Sequence, residues 1–289
     1  MRFHHSTAEV FVPDRLQGAG ALSRVTHLGI GAHQDDLEFM AFHGILACYQ
    51  NDAEWFAGVT CTDGALCVRA GSYSGFGNDR MREIRRREQN LAAQIGQYGA
   101  MIQLDYPSAA VKDPLDTALR DDLILVLRAT QPRVAYIHNL ADKHDTHIGV
   151  AVASIQAMRA LPLQERPGTV YGCEVWRDLD WMNDEEKVLQ DVSFRDSLAA
   201  TLNGVFDSQI AGGKRYDLGV AGRRRANATF LESHVVDRAE SIAYAMDLTP
   251  LVIDENLDIA DYVDGVIGRF RNGVITSIKK RTGGWKTAD

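Results

Sequence analysis

Residues 29–39, GIGAHQDDLEF, close one apolar run and open another, and between the two stand His33, Asp35 and Asp36. The run before them, RVTHLGIGA (24–32), is rich in Val, Leu and Ile and ends on Gly and Ala, the composition of a buried strand. The run after them, LEFMAFHGILACYQ (37–50), spaces its apolar residues as a helix does. Packing gains nothing from a histidine and two carboxylates at a strand end. A metal site would explain them.

Working outward, the alternation repeats. EWFAGVTCT (54–62) predicts a second strand, stopped by the turn pair Asp63-Gly64, and the glycine-rich stretch 63–80 reads as a long loop. Residues 80–98 predict the clearest helix, with Met81, Ile84, Leu91, Ala92 and Ile95 on one side. MIQLDYP (101–107) reads as a strand, 119–130 as a helix and RVAYIHN (133–139) as a strand. The polar loop LADKHDTH (140–147), a helix over 148–161 and the strand TVYGCEVW (169–176) complete this part. Strand then helix, several times over, implies a mostly parallel sheet covered by helices on both faces. Ligands of such sheets sit at the carboxyl ends of the strands. His33–Asp36 and His144–His147 both follow predicted strands, so they share one rim.

From about residue 180 the rhythm changes. Residues 184–206 read as helical, 212–234 as a Gly- and Arg-rich loop, and 235–248 and 256–272 as helical again. No Pro- or Ser-rich linker precedes them, so residues 1–289 are expected to form one domain. Its core is about 25–180, and 181–289 is a C-terminal helical and loop extension packed on that core.

Composition narrows the function. The chain has 289 residues, 45% hydrophobic and 24% charged, as an ordinary globular enzyme with a sizeable core has. A net charge of −8 with mixed signs argues against nucleic-acid binding, which wants a basic face. No apolar run reaches the roughly 18 residues of a membrane span. The N-terminus lacks the basic-then-apolar pattern of a signal peptide, so a cytoplasmic location is expected. Cys48, Cys61, Cys67 and Cys173 form no C-x-x-C pair and are expected to be reduced thiols. Homo-oligomerisation is left open.

A catalytic zinc takes three protein ligands from His and carboxylate and keeps a fourth position for water. His33 and Asp36 can converge on one ion across the strand-to-helix turn, and His147 can add the third ligand from the other loop. Asp35 is then free to accept a proton from water, and His144 to stabilise an oxyanion and protonate a leaving group. Each motif alone also has a plain reading: Asp36 as the N-cap of 37–50, the H-x-x-H pair as surface histidines. Their joint placement after two strands of one sheet favours the metal.

Three segments together resemble a known family. AHQDDLE is similar to the AHPDDE signature of the PIG-L/LmbE-like zinc-dependent N-acetylglucosaminyl de-N-acetylases. RRREQNLAAQIG (85–96) resembles that family's R-x-x-E…A-A…L-G helix, and QPRVAYIHNLADKHDTH (131–147) its P-D-V-V…H-P-D-H segment. The likeness covers roughly residues 25–180. It implies a Rossmann-like three-layer α/β/α sandwich and Zn2+ as cofactor, although other divalent metals such as iron and cobalt suit the same ligands. By position, it implies His33, Asp36 and His147 as metal ligands, Asp35 as general base and His144 as the assisting histidine. Arg85 matches an arginine that in some members reaches substrate, with Glu88 as its helix partner. Three positions depart: Gln34 replaces a proline, and Asp145 and Thr146 stand where Pro and Asp are usual. The missing aspartate leaves open what orients His144, with Asp142 or Asp145 as candidates.

Most of the charged run Arg80–Glu88 reads as a solvated, salt-bridged face. Arg82, Arg85 and Asp63 are the candidates for substrate contact. Residues 212–234 read either as an ordinary surface loop or as a lid whose arginines grip an anion. GGKR (212–215) is no P-loop, and LGIGAHQ lacks a full G-x-G-x-x-G, so no nucleotide site is supported. His4, His5, His27, His43, His138 and His234 read as structural or exposed.

The expectation is therefore a metal-dependent hydrolase that removes an N-acyl group, acetyl foremost, from an amino sugar or sugar conjugate. The alternatives are a degenerate member that binds a sugar-like ligand without turnover, and a hydrolase of a different small amide.

Overall fold

The computed structural model describes residues 1–16 and 20–283. Strand β1 (Glu9–Phe11) and the short helix α1 (Gly20–Ser23) lead into β2 (His27–Gly31), α2 (Asp36–Met40), α3 (Phe42–Cys48) and β3 (Phe56–Thr62). Then come α4 (Asn78–Ile95), β4 (Ala100–Tyr106), α5 (Ser108–Val111), α6 (Ala118–Thr130), β5 (Val134–His138), α7 (Asp145–Arg159) and β6 (Thr169–Cys173). Last are β7 (Lys187–Asp191), α8 (Asp196–Gly204), α9 (Asp207–Ile210), α10 (Tyr216–Phe230), β8 (Ile242–Asp247), α11 (Thr249–Ile253) and α12 (Ile259–Arg281).

The eight strands form one sheet in the order β1-β4-β3-β2-β5-β6-β8-β7, with β4, β3, β2, β5 and β6 parallel. All seven residues of β3 are buried, as a strand covered on both faces must be. One core cluster joins Ile30, Ile102 and Ile137 to α6 and α7; a second, on the opposite face, joins Met101 and Tyr136 to Leu37, Phe42 and Ala92 of α2, α3 and α4. The fold is therefore a three-layer α/β/α sandwich.

Two features of this sheet position the site. From β2 the chain steps to β3 and β4 on one side and later to β5 and β6 on the other, so the order reverses between β2 and β5. The crevice at the carboxyl ends of those two strands is where such folds bind ligands. Second, Gly29 and Gly58 pair in register, and a Cβ on Gly58 would lie 2.6 Å from Leu37 Cδ1. Two adjacent residues without side chains let Leu37 reach the sheet, and that contact sets where the H-x-D-D turn stands.

The structure corrects the reading of the C-terminal part. Residues 187–191, expected to be helical, form the edge strand β7. Its exposed Leu189 and buried Lys187 and Gln190 break the usual polar-out alternation. Residues 242–247, also expected to be helical, form β8. Pairing with β6 on one side and β7 on the other overrides the helix propensity of Ala and Met. Conversely, 216–230 within the expected loop is the helix α10. Its buried stripe is Arg224, Asn227 and Ala228, a spacing of three and four that apolar periodicity cannot detect because two members are polar. The single helix expected over 37–50 breaks at Ala41 into α2 and α3. Among the described residues no helix is long and apolar enough to cross a membrane. All four cysteines are free, three of them buried.

Candidate active site

The turn after β2 is tightly specified. Asp36 starts α2 with its Oδ2 accepting the His33 backbone N–H at 2.7 Å. Asp35, just before the helix, has φ of 103°, a region non-glycine residues rarely occupy. Its N–H donates to Gln89 Oε1 (3.1 Å), Gln89 Nε2 donates to Glu38 Oε1 (2.9 Å), and Tyr98 OH donates to the same oxygen (2.6 Å). A buried chain of polar groups thus holds the strained residue. Gln34, where the family has proline, is 2% exposed, and its Nε2 donates to the Thr62 carbonyl (3.1 Å) and to Gln103 Oε1 (3.3 Å). The side chain ties the turn to β3 and β4 in place of a rigid ring. Gly64 (φ +68°) makes room for it: a Cβ there would lie 2.3 Å from Gln34 Oε1.

Three donors meet at the β2–β5 crevice. His33 Nδ1 lies 3.2 Å from Asp36 Oδ2 and 3.2 Å from His147 Nε2, and His147 Nε2 lies 3.4 Å from Asp36 Oδ2. Ligands about 2.0–2.1 Å from a tetrahedral ion stand about 3.3–3.4 Å apart, so the triangle has the edges a divalent cation needs. Burial holds His33 down at about 4, against the raising effect of Asp36, so its ring is neutral and free to ligate. Burial pushes the Asp36 carboxyl up, but His147 and His138 more than offset it, and it stays ionised well below the usual carboxylate range. His147 is the exception: despite burial, Asp36 and Asp142 raise it above 6.5.

His138, read from the sequence as structural or exposed, is fully buried with its Nε2 3.3 Å from Asp36 Oδ2 and its ring stacked 3.9 Å from His147. The Ala32 N–H donates to that Nε2 at 2.9 Å, so its lone pair is already used. His138 therefore backs the triangle and does not complete it.

Asp35 and His144 line the same cavity, of about 370 Å³, as His33 and Asp36. Burial pushes the Asp35 carboxyl well above its ordinary value, and Arg85, 3.6 Å away, pulls it back only in part. His144 caps α7, and its Nδ1 accepts the Thr146 N–H at 3.3 Å. A neutral ring bonded that way carries its proton on Nε2. Neither Asp142 nor Asp145 bonds the ring. Asp142 instead accepts the backbone N–H of His144 (3.0 Å) and of Trp176 (3.1 Å) and stands 3.5 Å from His147 Nδ1, too far for a firm hydrogen bond.

The residues expected to touch substrate divide. Arg85 lines the cavity but is 3% exposed, and its guanidinium donates to the carbonyls of Gln34 (2.5 Å) and Gly64 (3.3 Å). Arg82 and Asp63 do not line it: they bond each other at 2.9 Å, and Arg82 also reaches Asp79 at 2.7 Å. Glu88 accepts from Ser208. The far wall comes from Glu174 and Trp176, which the sequence did not mark, and from Lys214, Tyr216, Arg223 and Arg224 of the Gly- and Arg-rich stretch 212–234, read as a surface loop or a lid, of which 216–230 is the helix α10.

Known proteins agree with this fold. Residues 28–158, from β2 through most of α7, match the profile of a family described as PIG-L: GlcNAc-PI de-N-acetylase. No curated protein matches the chain. Among solved structures, GalB, the 4-carboxy-2-hydroxymuconate hydratase of Pseudomonas putida KT2440, is 19% identical with a TM-score of 0.59, over 77% of this chain and 95% of its own. The N,N'-diacetylchitobiose deacetylase of Pyrococcus horikoshii is 18% identical with a TM-score of 0.58, over 76% and 83%. The A40926 pseudoaglycone deacetylase Dbv21 is 14% identical with a TM-score of 0.53, over 78% and 97%. At these identities the likeness is one of fold. That fold carries a hydratase as well as deacetylases, so it does not choose the reaction by itself.

Proposed function

We propose that this chain, a member of the PIG-L family through residues 28–158, is a metal-dependent hydrolase that removes an N-acyl group, acetyl foremost, from an amino sugar or sugar conjugate. The observation that carries the reading is the donor triangle of His33, Asp36 and the fully buried His147, two of whose corners line one cavity with Asp35 and His144. His33, Asp36 and His147 would hold Zn2+, which fits two imidazoles and a carboxylate, and the ion would supply Lewis-acid chemistry to a carbonyl and to water.

The chain's own groups do the rest. Asp35, whose proton affinity burial has raised, takes the proton of the attacking water. His144, with its proton on Nε2, donates a hydrogen bond to the oxygen where negative charge develops, and the proton that Asp35 took from water passes to the departing amine nitrogen. Trp176 and Tyr216, 6.0 Å apart and edge to face, offer an aromatic wall for the C–H face of a sugar. Arg85 positions Asp35 and the turn; Arg82 and Asp63 brace the rim.

The departures at 34, 145 and 146 remove no donor: Gln34 re-anchors the turn and the Thr146 N–H orients His144. This supports turnover over mere binding. We also take residues 1–289 as one domain, because β1, β7 and β8 extend the same sheet; 284–289 lie outside the described residues. Acetate release across a panel of N-acetylated sugars and glycoconjugates tests the proposal. No release from any of them by metal-loaded protein would overturn it.

A further inference from the structure

One cavity group takes no part in the reaction. Glu174 follows β6 directly, is 5% exposed and lines the cavity opposite the donor triangle. Its Oε1 is fully used, accepting from Asn227 Nδ2 at 2.7 Å and from the Tyr244 N–H at 3.1 Å. Its Oε2 is buried and accepts from no donor among the described residues. Buried carboxylate oxygens are almost always hydrogen-bonded, so an unpartnered one on a residue that lines the cavity calls for a donor that arrives with the ligand.

The surroundings say which donor. Arg223, held by the carbonyls of Val175 and Trp176, stands against the Glu174 charge, but burial outweighs it and raises the carboxyl; the buried Arg224 is held by the carbonyls of Glu38 and Phe39. What Oε2 lacks is a hydrogen-bond donor, and a neutral hydroxyl supplies one. Trp176, two residues on, adds an aromatic ring to the same wall. A pyranose presents that pair of features together: a C–H face to lie on a ring, and hydroxyls projecting from its edge.

We infer that Glu174 is the specificity-determining residue of the cavity, its Oε2 accepting one ring hydroxyl of the sugar while the acyl amide lies at the donor triangle. The inference rests on the hydrolase reading for the class of ligand but concerns binding and not turnover. A site built to receive a hydroxyl penalises the analogue without it, because its own polar atom is then stranded.

Glu174→Gln is a clean probe. The amide oxygen can keep the bonds to Asn227 and Tyr244, while the free oxygen becomes an N–H donor. Calorimetric Kd values are measured for N-acetylglucosamine and its 3-, 4- and 6-deoxy analogues, on metal-loaded Asp35→Asn protein with and without E174Q. With Glu174 present, one deoxy analogue is expected to bind about 10-fold or more weakly than the parent, and E174Q to shrink that ratio below about 3-fold. An unchanged ratio in the two proteins, or no binding of any of these sugars, overturns the assignment. If E174Q does not fold, Glu174→Asp withdraws the oxygen by one methylene and is expected to lose the same discrimination. Discrimination by Glu174 without acetate release from the wild type would overturn the hydrolase reading alone.

Discussion

Residues 28–158 bring the reactive groups to the cavity on turns that follow β2 and β5, whereas residues 174–227 bring the opposing wall on a strand end and a helix. In the first region short backbone geometry does the placing: His33 and Asp36 are one turn apart, and His144 and His147 begin a helix. In the second, buried polar side chains do it. Arg224 and Asn227 pack inward because carbonyls and a carboxylate receive them. The contrast suggests a division of labour, in which the first wall performs the reaction and the second selects what enters.

If that division holds, substitutions in the first region destroy turnover and those in the second change affinity. His147→Ala should have the largest effect, with bound metal and acetate release both lost, as metal analysis alongside the assay would show. Protons compete for the same ring. Because His147 is raised above 6.5 in the absence of metal, apparent metal affinity should already weaken as pH falls through neutrality. Asp35→Asn comes next: about 100- to 10,000-fold lower kcat with metal content unchanged. A variant that turns over at the wild-type rate removes Asp35 from the reaction.

Glu38→Gln sharpens the comparison through stability. Burial raises Glu38 to about 7 from an ordinary 4.5, so the folded protein keeps a proton that the unfolded chain releases. That contribution is fully present below 4.5 and is lost as pH rises to about 7, roughly 3 kcal/mol in all. Denaturant titrations of chelator-treated protein should show wild-type stability falling across this window relative to Glu38→Gln. Parallel curves would mean that Glu38 is ionised in the fold. The smallest effect belongs to the second wall: Trp176→Ala should raise KM about 10-fold, the loss of about 1–2 kcal/mol of aromatic contact, and leave kcat within a factor of about three. An equal fall in kcat would show that the wall also shapes the transition state.

The strand–helix rhythm from β2 to β6 was legible because its strands are bounded by turn residues and separated by periodic helices, whereas the three-residue edge strand β1 was not read. Beyond β6 the rhythm was hidden. β7 is an edge strand with buried Lys187 and Gln190, β8 is built partly from helix formers, and α10 buries an arginine and an asparagine. Patterns of apolar residues cannot report a face whose burial depends on polar partners far along the chain. His138 was passed over for a similar reason: its work is to accept one backbone N–H and to stack on His147, and neither leaves a motif.

Taken alone, the sequence determined that His33 and Asp36 stand close together, since spacing within a turn after a strand is a local matter of covalent geometry. Only the tertiary structure decided that His147 Nε2 comes within 3.2 Å of His33 and 3.4 Å of Asp36, that the Thr146 N–H bonds His144, and that one Glu174 oxygen has no partner among the described residues. Those outcomes depend on which polar groups lose water and which find partners across the sheet, and no stretch of chain settles that balance by itself.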